Sequence, residues 1–509
     1  MKFTDFRMKK ISSSDFADIE QGLGNNFYEV KSPAFSSKEF DFADFLIKEI
    51  IKESLFKKGF EGIGDDFNDN FYDTVVSFVQ VNRLNEKLPS KSEFTFLSVS
   101  LEKLLEKIRF VKDKKFFADF VLHNSVGLKK LSFFSMDDDL EELMVNSFDK
   151  VFVFHKRFGM CKTSVVLGNK DLLDTVQRIA LTIGKDFNSK NPLLDARLPD
   201  GSRVNATLSE LSPIGGTITI RKFSSIPLTI LDLIESNTIT SEAAAFLWLM
   251  VDGFGNSPRN ILIAGGTASG KTTFLNILSN FVRLNERIVS IEDTIELSLL
   301  SRDNWVPLEA RSSVSSEVSM DALLRNAMRM RSDRIIVGEV RGPEALTLFT
   351  AMDTGHQGCL GTIHSNNARE TILKLQERPL SVPQAMLPLL DIIVIMQRRN
   401  MKDLGAQRRV MQIVELSRME DKVLFGNLFE YDDKNDVLKR TDLAGAVVEE
   451  MASKNSMNRT DISNELKLRK GILEWMIRQD IRKPMEVLEV IESYYYNPDK
   501  VLSTMHEFD

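Results

Sequence analysis

The sequence has 509 residues, which predicts about two to four domains. A hydrophobic content of 43% and a charged content of 27% indicate an ordinary globular protein with ample core. A net charge of −7 argues against nucleic acid as the main ligand. The two cysteines, Cys161 and Cys359, are too far apart for a C-x-x-C zinc or redox site and fit a reducing interior.

Membrane insertion is also not expected. Residues 1–6 lead into no apolar stretch of the kind found in a signal peptide. No run approaches the roughly 18 to 20 apolar residues that a membrane-spanning helix needs. The longest candidate, residues 386–396, contains Asp391, so we interpret it as a helix end that runs into a buried strand.

The first 136 residues divide into a predicted arm and a predicted helical segment. Residues 1–40 are polar with weak periodicity, so we expect a mobile N-terminal arm. An alternative is that its lysines, arginine and phenylalanines dock on an anionic membrane surface or on a partner. In residues 41–136, apolar side chains at helical spacing predict helices over 41–58, 71–84 and 98–110 that form a small bundle.

Residues 137–223 predict an α+β domain. Asp137-Asp138-Asp139 is suited to cap a helix that carries Leu140, Leu143 and Met144. Short apolar runs then predict strands, and the spacing of apolar residues predicts a further helix. The predicted strands are 151–154, 163–166, 203–206 and 217–221, and the helix is 171–186. Small polar residues followed by Pro227 make residues 224–229 the best candidate for a linker.

Residues 230–509 predict the second domain. Helices, strands and loops alternate to about Asn400, which is typical of a parallel α/β sheet. Residues 410–416, 423–431 and 437–439 predict further strands that complete the sheet region. From Asp442 onward the spacing of apolar residues predicts helices.

A glycine-rich segment at 265–272 is the strongest chemical signal in the chain. The buried-type strand 261–264 precedes Gly265-Gly266-Thr267-Ala268-Ser269-Gly270-Lys271-Thr272, which fits G-x-x-x-x-G-K-[ST], and a helix is expected to follow. The loop and the helix N-terminus, as far as Thr273, present backbone N–H groups to phosphate. Lys271 is expected to reach the β- and γ-phosphates of ATP, and Thr272 to ligate Mg²⁺.

Two later apolar strands end in carboxylates. Residues 288–291 are followed by Glu292 and Asp293, and residues 334–338 are followed by Glu339. Open α/β sheets place catalytic groups at such strand ends. We expect Glu292 to polarise the attacking water, Asp293 to hold a metal-bound water, and Glu339 to position Mg²⁺ and water. A solvated strand end is the alternative interpretation for Glu292 and Asp293.

Two histidines and two arginines complete the candidate site. His356 and His364 each lie among glycines and threonines, where a neutral imidazole can sense the γ-phosphate; the alternative is a satisfied core histidine. A triphosphatase that works as a ring needs a cation from another domain or subunit. Arg221 is the first candidate for that cation and Arg203 the second.

The ordered set of motifs resembles the secretion ATPase superfamily of type II and type IV secretion, type IV pili and archaella. The resemblance covers residues 137–400 and rests on six segments. They are 140–146, 198–205, 265–272 (Walker A), 292–296 (aspartate box), 337–342 (Walker B) and 355–365 (histidine box).

The resemblance implies a RecA-like P-loop NTPase domain that is flexibly linked to the α+β domain, with the helical bundle before it. It implies a homohexameric, Mg²⁺-dependent ATPase motor, with ATP between the two domains and arginines acting across subunits. Arg203 and Arg221 are the candidates for those arginines. Such motors work on a polytopic membrane platform protein from the cytoplasm, peripherally at the inner face of the cell membrane.

Within the superfamily, the chain looks most like the FlaI-like motor ATPases of the archaellum, with accessory motor proteins as further partners. Two cysteines exclude the four-cysteine zinc segment of many bacterial pilus and type II enzymes. The long Phe-rich segment before residue 137 favours the same assignment. A type IV pilus or type II/IV secretion ATPase is the alternative, and a nucleic-acid translocase is a third hypothesis that the acidic composition disfavours.

Overall fold

The computed structural model divides into two compact units, residues 1–225 and 226–509, and each is described by itself. The described residues are 9–13, 17–21, 26–30, 36–52, 91–106, 108–109, 111–125, 128–198, 200–222, 228–299, 302–311, 318–401, 405–419, 422–443 and 445–508. The predicted helix 71–84 and residues 224–227 of the predicted linker lie outside these ranges.

The first unit contains a mixed sheet and several helices. Its strands are β1 (Lys9–Ser13), β2 (Ala17–Gln21), β3 (Asn26–Val30), β4 (Leu140–Ser147), β5 (Lys150–His155), β6 (Gly159–Thr163), β7 (Leu193–Arg197), β8 (Arg203–Thr207) and β9 (Thr217–Arg221). Its helices are α1 (Ser37–Lys52), α2 (Lys91–Leu105), α3 (Lys114–Ser125), α4 (Ser132–Met136) and α5 (Asn169–Thr182).

The strands of the first unit form one sheet in the order β1-β2-β3-β6-β5-β4-β9-β8-β7. Neighbours pair antiparallel, except that β3 runs parallel to β6. One face packs on α5, where Leu172, Val176, Ile179 and Ala180 are buried in the spacing of a single helix stripe.

Two segments of this unit differ from the sequence prediction. Within residues 1–40, the predicted mobile arm, the described residues form β1, β2, β3 and the start of α1, and Tyr28 of β3 is buried. The predicted helix after Asp137 is wrong, because residues 140–147 form β4. Asp137 instead accepts a hydrogen bond from the Tyr28 hydroxyl at 2.5 Å and one from the Asp139 N–H at 2.9 Å. The acidic run therefore forms the turn between α4 and β4 and does not cap a helix.

An aromatic stack and a backbone hydrogen bond join α1 to α3 and to the segment before it. The rings of Phe42 in α1 and Phe117 in α3 stack with centroids 5.7 Å apart. Buried Glu39 accepts the backbone N–H of Lys112 at 3.1 Å, which ties the start of α1 to the segment before α3. Phe42, Phe117 and Phe134 are thus core, whereas Phe40 and Phe116 are exposed.

The second unit is an α/β structure with a helical C-terminal part. Its strands are β10 (Ile261–Gly265), β11 (Ile288–Glu292), β12 (Trp305–Glu309), β13 (Arg334–Val340), β14 (Leu360–Ile363), β15 (Ile392–Met401), β16 (Gly405–Met419), β17 (Lys422–Asp432) and β18 (Val437–Arg440). Its helices are α6 (Ile230–Glu235), α7 (Ser241–Asp252), α8 (Lys271–Ser279), α9 (Met320–Ala327), α10 (Glu344–Asp353), α11 (Ala368–Gln376), α12 (Ala446–Lys454), α13 (Arg459–Arg478), α14 (Pro484–Tyr496) and α15 (Pro498–Phe508).

The second sheet has the order β12-β11-β13-β14-β10-β15-β16-β17-β18. The parallel strands are β12, β11, β13, β14, β10 and β15, and the sheet continues with the antiparallel strands β16, β17 and β18. Strand β10 lies in the middle and is buried on both faces. As predicted, residues 384–389 form a short 3-10 helix that leads into buried β15. Among the described helices, none combines the length and apolar content needed to cross a membrane.

A buried ion-pair cluster joins α13 to the end of α7 and to the segment after α8. Arg469 of α13 donates to Asp252 at 2.8 Å and to Glu465 at 2.7 Å, and its guanidinium lies 4.9 Å from the ring centroid of Trp248. Asp252 also accepts a hydrogen bond from Arg283 at 2.7 Å. Asp252 and Arg469 are both buried, so removal of one leaves a charge poorly compensated in the interior.

We therefore expect Arg469→Met to destabilise the second unit by about 3 kcal/mol, the cost of breaking a buried ion pair. All three tryptophans lie in this unit, so urea unfolding followed by tryptophan fluorescence reports on it. Arg482→Met is the control, because Arg482 pairs with Glu235 at the surface and its loss should barely move the midpoint. Equal midpoints for the two variants would contradict the structural role of the cluster.

Candidate active site at the phosphate-binding loop

The loop after β10 is held by close backbone packing. A Cβ atom on Gly265 would lie 2.5 Å from the Met396 carbonyl oxygen and 2.5 Å from the Ser269 Oγ, so only glycine fits there. Gly270 has φ of 90° and directly precedes α8, a conformation that side chains rarely adopt. The start of α8 follows the loop directly, and N–H groups without helical partners at a helix start are suited to bind an anion.

Lys271, at the start of α8, is only 9% exposed. Its ammonium donates to the Gly266 carbonyl oxygen at 2.9 Å, and the Ser269 hydroxyl donates to the same oxygen at 2.8 Å. Burial lowers the pKa of Lys271, while the negative charge of Glu339 opposes that shift. The lysine is thus held inside the loop and lies close enough to Glu339 for the two charges to interact.

Glu292 lies at the end of β11 and is 2% exposed. Its Oε2 atom accepts the backbone N–H groups of Glu296 at 2.8 Å and Leu297 at 3.1 Å, which fixes the side chain against the following turn. The side chain passes over Gly338 of the neighbouring strand β13. A Cβ atom on Gly338 would lie 2.7 Å from the Glu292 Cγ, so this glycine makes room for the carboxylate.

Arg341 joins the two other predicted carboxylates. It donates to the Glu339 Oε2 at 2.5 Å, and its guanidinium lies 3.7 Å from the Asp293 Oδ2. The hydrogen bond to Glu339 is the largest cause of the raised pKa of Arg341. The N–H groups of Arg341 and Gly342 donate to the buried Glu344 carboxylate at 2.6 and 2.7 Å. The turn that carries Arg341 is therefore fixed by the start of α10.

The two predicted histidines lie at opposite ends of β14. Because β14 runs parallel to β10, with Leu360 opposite Ile261, its carboxyl end meets the edge of the sheet that carries the loop. His364 follows that end, is exposed, and its carbonyl oxygen accepts from Lys374 at 2.6 Å. His356 precedes the strand, so the structure does not bring it to Lys271 of the same chain.

The predicted arginines belong to the first unit and lie side by side. Arg203 of β8 is opposite Arg221 of β9, and Glu142 of β4 is opposite Arg221 on the other side. Residues directly opposite each other share a face of the sheet. The structure therefore pairs Arg203 and Arg221 on one face of the first unit.

Two side chains that the sequence analysis did not single out lie beside the loop. Asn366 places its Oδ1 atom 3.5 Å from the position that a Cβ on Gly266 would take. Arg408 of β16 donates to the Ala268 carbonyl oxygen at 3.4 Å. Asn366 could have been found from the sequence because it follows the predicted His364 by two residues. Arg408 is 140 residues from Ala268, and its only signal in the sequence is that it forms a pair of consecutive arginines with Arg409.

The residues present fit a magnesium nucleotide. Thr272 is half-buried at the first turn of α8, and Glu339 lies on β13, two strands from β10. Their side chains are the two protein ligands expected for a Mg²⁺ ion that keeps several waters. Bound there, Mg²⁺ would supply positive charge next to the β- and γ-phosphates. The described residues contain no group of three or more His, Cys, Asp or Glu side chains that could hold a metal by themselves.

A glycine loop between a central buried strand and a helix, with carboxylates on other parallel strands of the same sheet, defines a P-loop nucleotide-binding protein of the α/β class. Residues 137–487 match the family model described as Type II/IV secretion system protein, and the chain belongs to this family of secretion ATPases. The family assignment supports ATP hydrolysis in general.

Individual relatives are similar over different parts of the chain. The uncharacterized protein MJ0781 of Methanocaldococcus jannaschii is 52% identical over 229 residues, which are 44% of this chain and 32% of MJ0781. The probable conjugal transfer protein TrbB of Sinorhizobium fredii is 31% identical over 290 residues, 55% of this chain and 85% of TrbB. The chain thus spans about a third of MJ0781 and most of TrbB.

Solved structures show a weaker likeness. The X-ray structure of the Legionella pneumophila ATPase DotB matches 71% of this chain and 94% of its own, with 16% sequence identity and a TM-score of 0.40.

The contact between Gly338 and Glu292 generates a test of the site. We expect Gly338→Ala to lower ATP turnover about 100-fold, because the added methyl group displaces the Glu292 carboxylate by a fraction of an ångström or more. Phosphate release at saturating ATP is the measurement. Gly471→Ala is the control, since a Cβ there would meet Met505 at an ordinary 3.7 Å and turnover should be unchanged. If Gly338→Ala hydrolysed ATP at the wild-type rate, Glu292 would have no role in the hydrolysis reaction.

Proposed function

We propose that the chain is an ATP-hydrolysing motor subunit of a secretion, conjugation or type IV pilus machine. One observation carries the proposal: the parallel sheet brings Lys271, Glu292 and Glu339 to the same edge, around a loop built for phosphate. Phosphate binding, a base for water and a carboxylate for metal are the parts that triphosphate hydrolysis needs.

In this proposal each residue has a separate task. Glu292 orients the attacking water. Two backbone N–H groups donate to its carboxylate and hold the side chain in one conformation. Glu339 and Thr272 hold Mg²⁺, and Asp293 holds a metal-bound water. His364, at the carboxyl end of β14, senses the γ-phosphate. Since His356 lies at the other end of that strand, a sensing role for it would involve a nucleotide other than that of its own loop.

We further propose that the motor is a homohexamer in which Arg221, with Arg203 second, contacts ATP across a subunit boundary. Support comes from their pairing on one face of a separate unit and from the need for a cation at the transition state. ATP binding and release would then move the two units of the chain relative to each other and deliver force.

The relatives favour a pilus, conjugation or secretion role over the archaellum. TrbB of Sinorhizobium fredii is described as a probable conjugal transfer protein. PtlH of Bordetella pertussis, which is 34% identical to this chain over 267 residues, is described as a type IV secretion system protein. We place the motor at the cytoplasmic face of the membrane, bound peripherally to a polytopic platform protein. A translocase of nucleic acid is the competing function, and a large stimulation of ATPase activity by single-stranded DNA would establish it.

Two substitutions separate binding from turnover. We expect Lys271→Ala to abolish ATP binding, because it removes the buried ammonium of the loop. Glu339→Gln should keep binding and lose turnover at least about 100-fold, since it removes a carboxylate beside the metal. Calorimetric titration with ATP and a phosphate-release assay measure the two effects. Normal hydrolysis by Glu339→Gln would show that the catalytic assignment is wrong.

Nucleotide is also expected to assemble the ring. Native mass measurement with a non-hydrolysable ATP analogue should show a hexamer that is weaker or missing without nucleotide. Lys271→Ala is the matched control and should not respond to the analogue. A wild-type monomer at saturating analogue would contradict the proposed site between subunits.

A further inference from the structure

The hairpin of β15 and β16 carries two pairs of consecutive arginines, Arg398-Arg399 and Arg408-Arg409. Arg398 lies directly opposite Arg408 in the antiparallel register. Opposite residues share a face and consecutive residues alternate between faces. The hairpin therefore presents Arg398 and Arg408 on one face and Arg399 and Arg409 on the other.

The second pair has a structural role. Arg409 is 2% exposed and forms a bidentate ion pair with Asp436, with distances of 2.7 and 2.9 Å. Arg399 pairs with Asp433 and lies 5.2 Å from the ring centroid of Tyr431. Aspartates of the segment between β17 and β18 thus neutralise this face of the hairpin.

Arg408, on the opposite face, lies against the phosphate-binding loop. Its Cδ atom is 3.0 Å from the position that a Cβ on Gly270 would take, and Met396 of the same face also borders that position at 3.7 Å. Its Nε donates to the Ala268 carbonyl oxygen. Because the side chain is exposed and the guanidinium is always charged, Arg408 adds a cation at the rim of the loop.

The strand order separates this cation from the catalytic carboxylates. β14, β13 and β11, which lead to Glu339 and Glu292, lie on one side of β10, and β15 and β16 lie on the other. The loop therefore has acidic groups on one flank and arginines on the other. A cation on the second flank can attract phosphate without contacting the water or the metal.

We propose that Arg408, with Arg398 opposite it, binds the phosphates of the nucleotide held in the loop of the same subunit. The proposal rests on the proposed function, since it requires that the loop binds ATP. Its position away from the carboxylates means that Arg408 contributes to the affinity for ATP and ADP and not to the turnover rate. It is thus distinct from Arg203 and Arg221, which belong to the other unit.

The test compares charge at position 408 with charge on the opposite face. In the full-length chain, Arg408→Gln should raise the Kd for both ATP and ADP about tenfold, the effect of one charge-assisted hydrogen bond, with kcat unchanged at saturating ATP. Arg408→Lys keeps the charge and should stay within about threefold of wild type. Arg399→Gln is the control and should bind both nucleotides as wild type does.

Two results would overturn this proposal, and a third would overturn the proposed function. Equal Kd values for Arg408→Gln and wild type would show that Arg408 does not contact the nucleotide. A fall in kcat at unchanged Kd would place Arg408 in the chemistry, against the geometry argued above. Wild-type protein that binds no ATP would instead overturn the proposed function, so the two failures are distinguishable.

Discussion

The site depends on one constraint, the central position of β10 in a run of parallel strands. A buried strand with parallel neighbours on both sides must end at the same edge as those neighbours. The parallel run continues through β14 to β13 and β11, so the carboxylates at the end of β11 and on β13 lie at the same edge as the glycine loop after β10. The helices that follow β10 and β13 then fix Lys271 and the turn at Arg341. No long-range contact between loops is needed to assemble these parts.

The charges of the site partly satisfy one another. Lys271 donates to a carbonyl of its own loop, and Arg341 contacts both Glu339 and Asp293. Lys271 is buried, so its hydrogen bond to the Gly266 carbonyl offsets part of the cost of removing its charge from water. The Arg341 side chain is largely exposed, so its contacts with Glu339 and Asp293 orient the guanidinium and add little to stability.

The sequence predicts those parts of the site that are encoded locally. The loop, Glu292 and Glu339 each occur within a short strand-to-turn pattern, so their element and their edge of the sheet follow from a few residues. The interpretation of Asp137 as a helix cap is wrong because the same residue type serves turns, and the deciding partner, Tyr28, is 109 residues away. His356 and His364 are eight residues apart in sequence, and the strand between them sends them to opposite edges.

The role of Arg408 could not be predicted from the sequence, although the arginine pairs of the hairpin are easy to see there. Four arginines in one hairpin give no sequence signal for which two face aspartates and which face the loop. That assignment depends on the pairing register, which shifts between Ile395 and Met396. Beyond this irregularity, Met396 and Arg408 share the face that packs against Gly270, while Arg409 turns to Asp436. A register without the shift would exchange the faces of Arg408 and Arg409 relative to Met396. The irregularity in β15 and β16 is therefore what supplies the phosphate loop with a cation on the flank opposite its carboxylates.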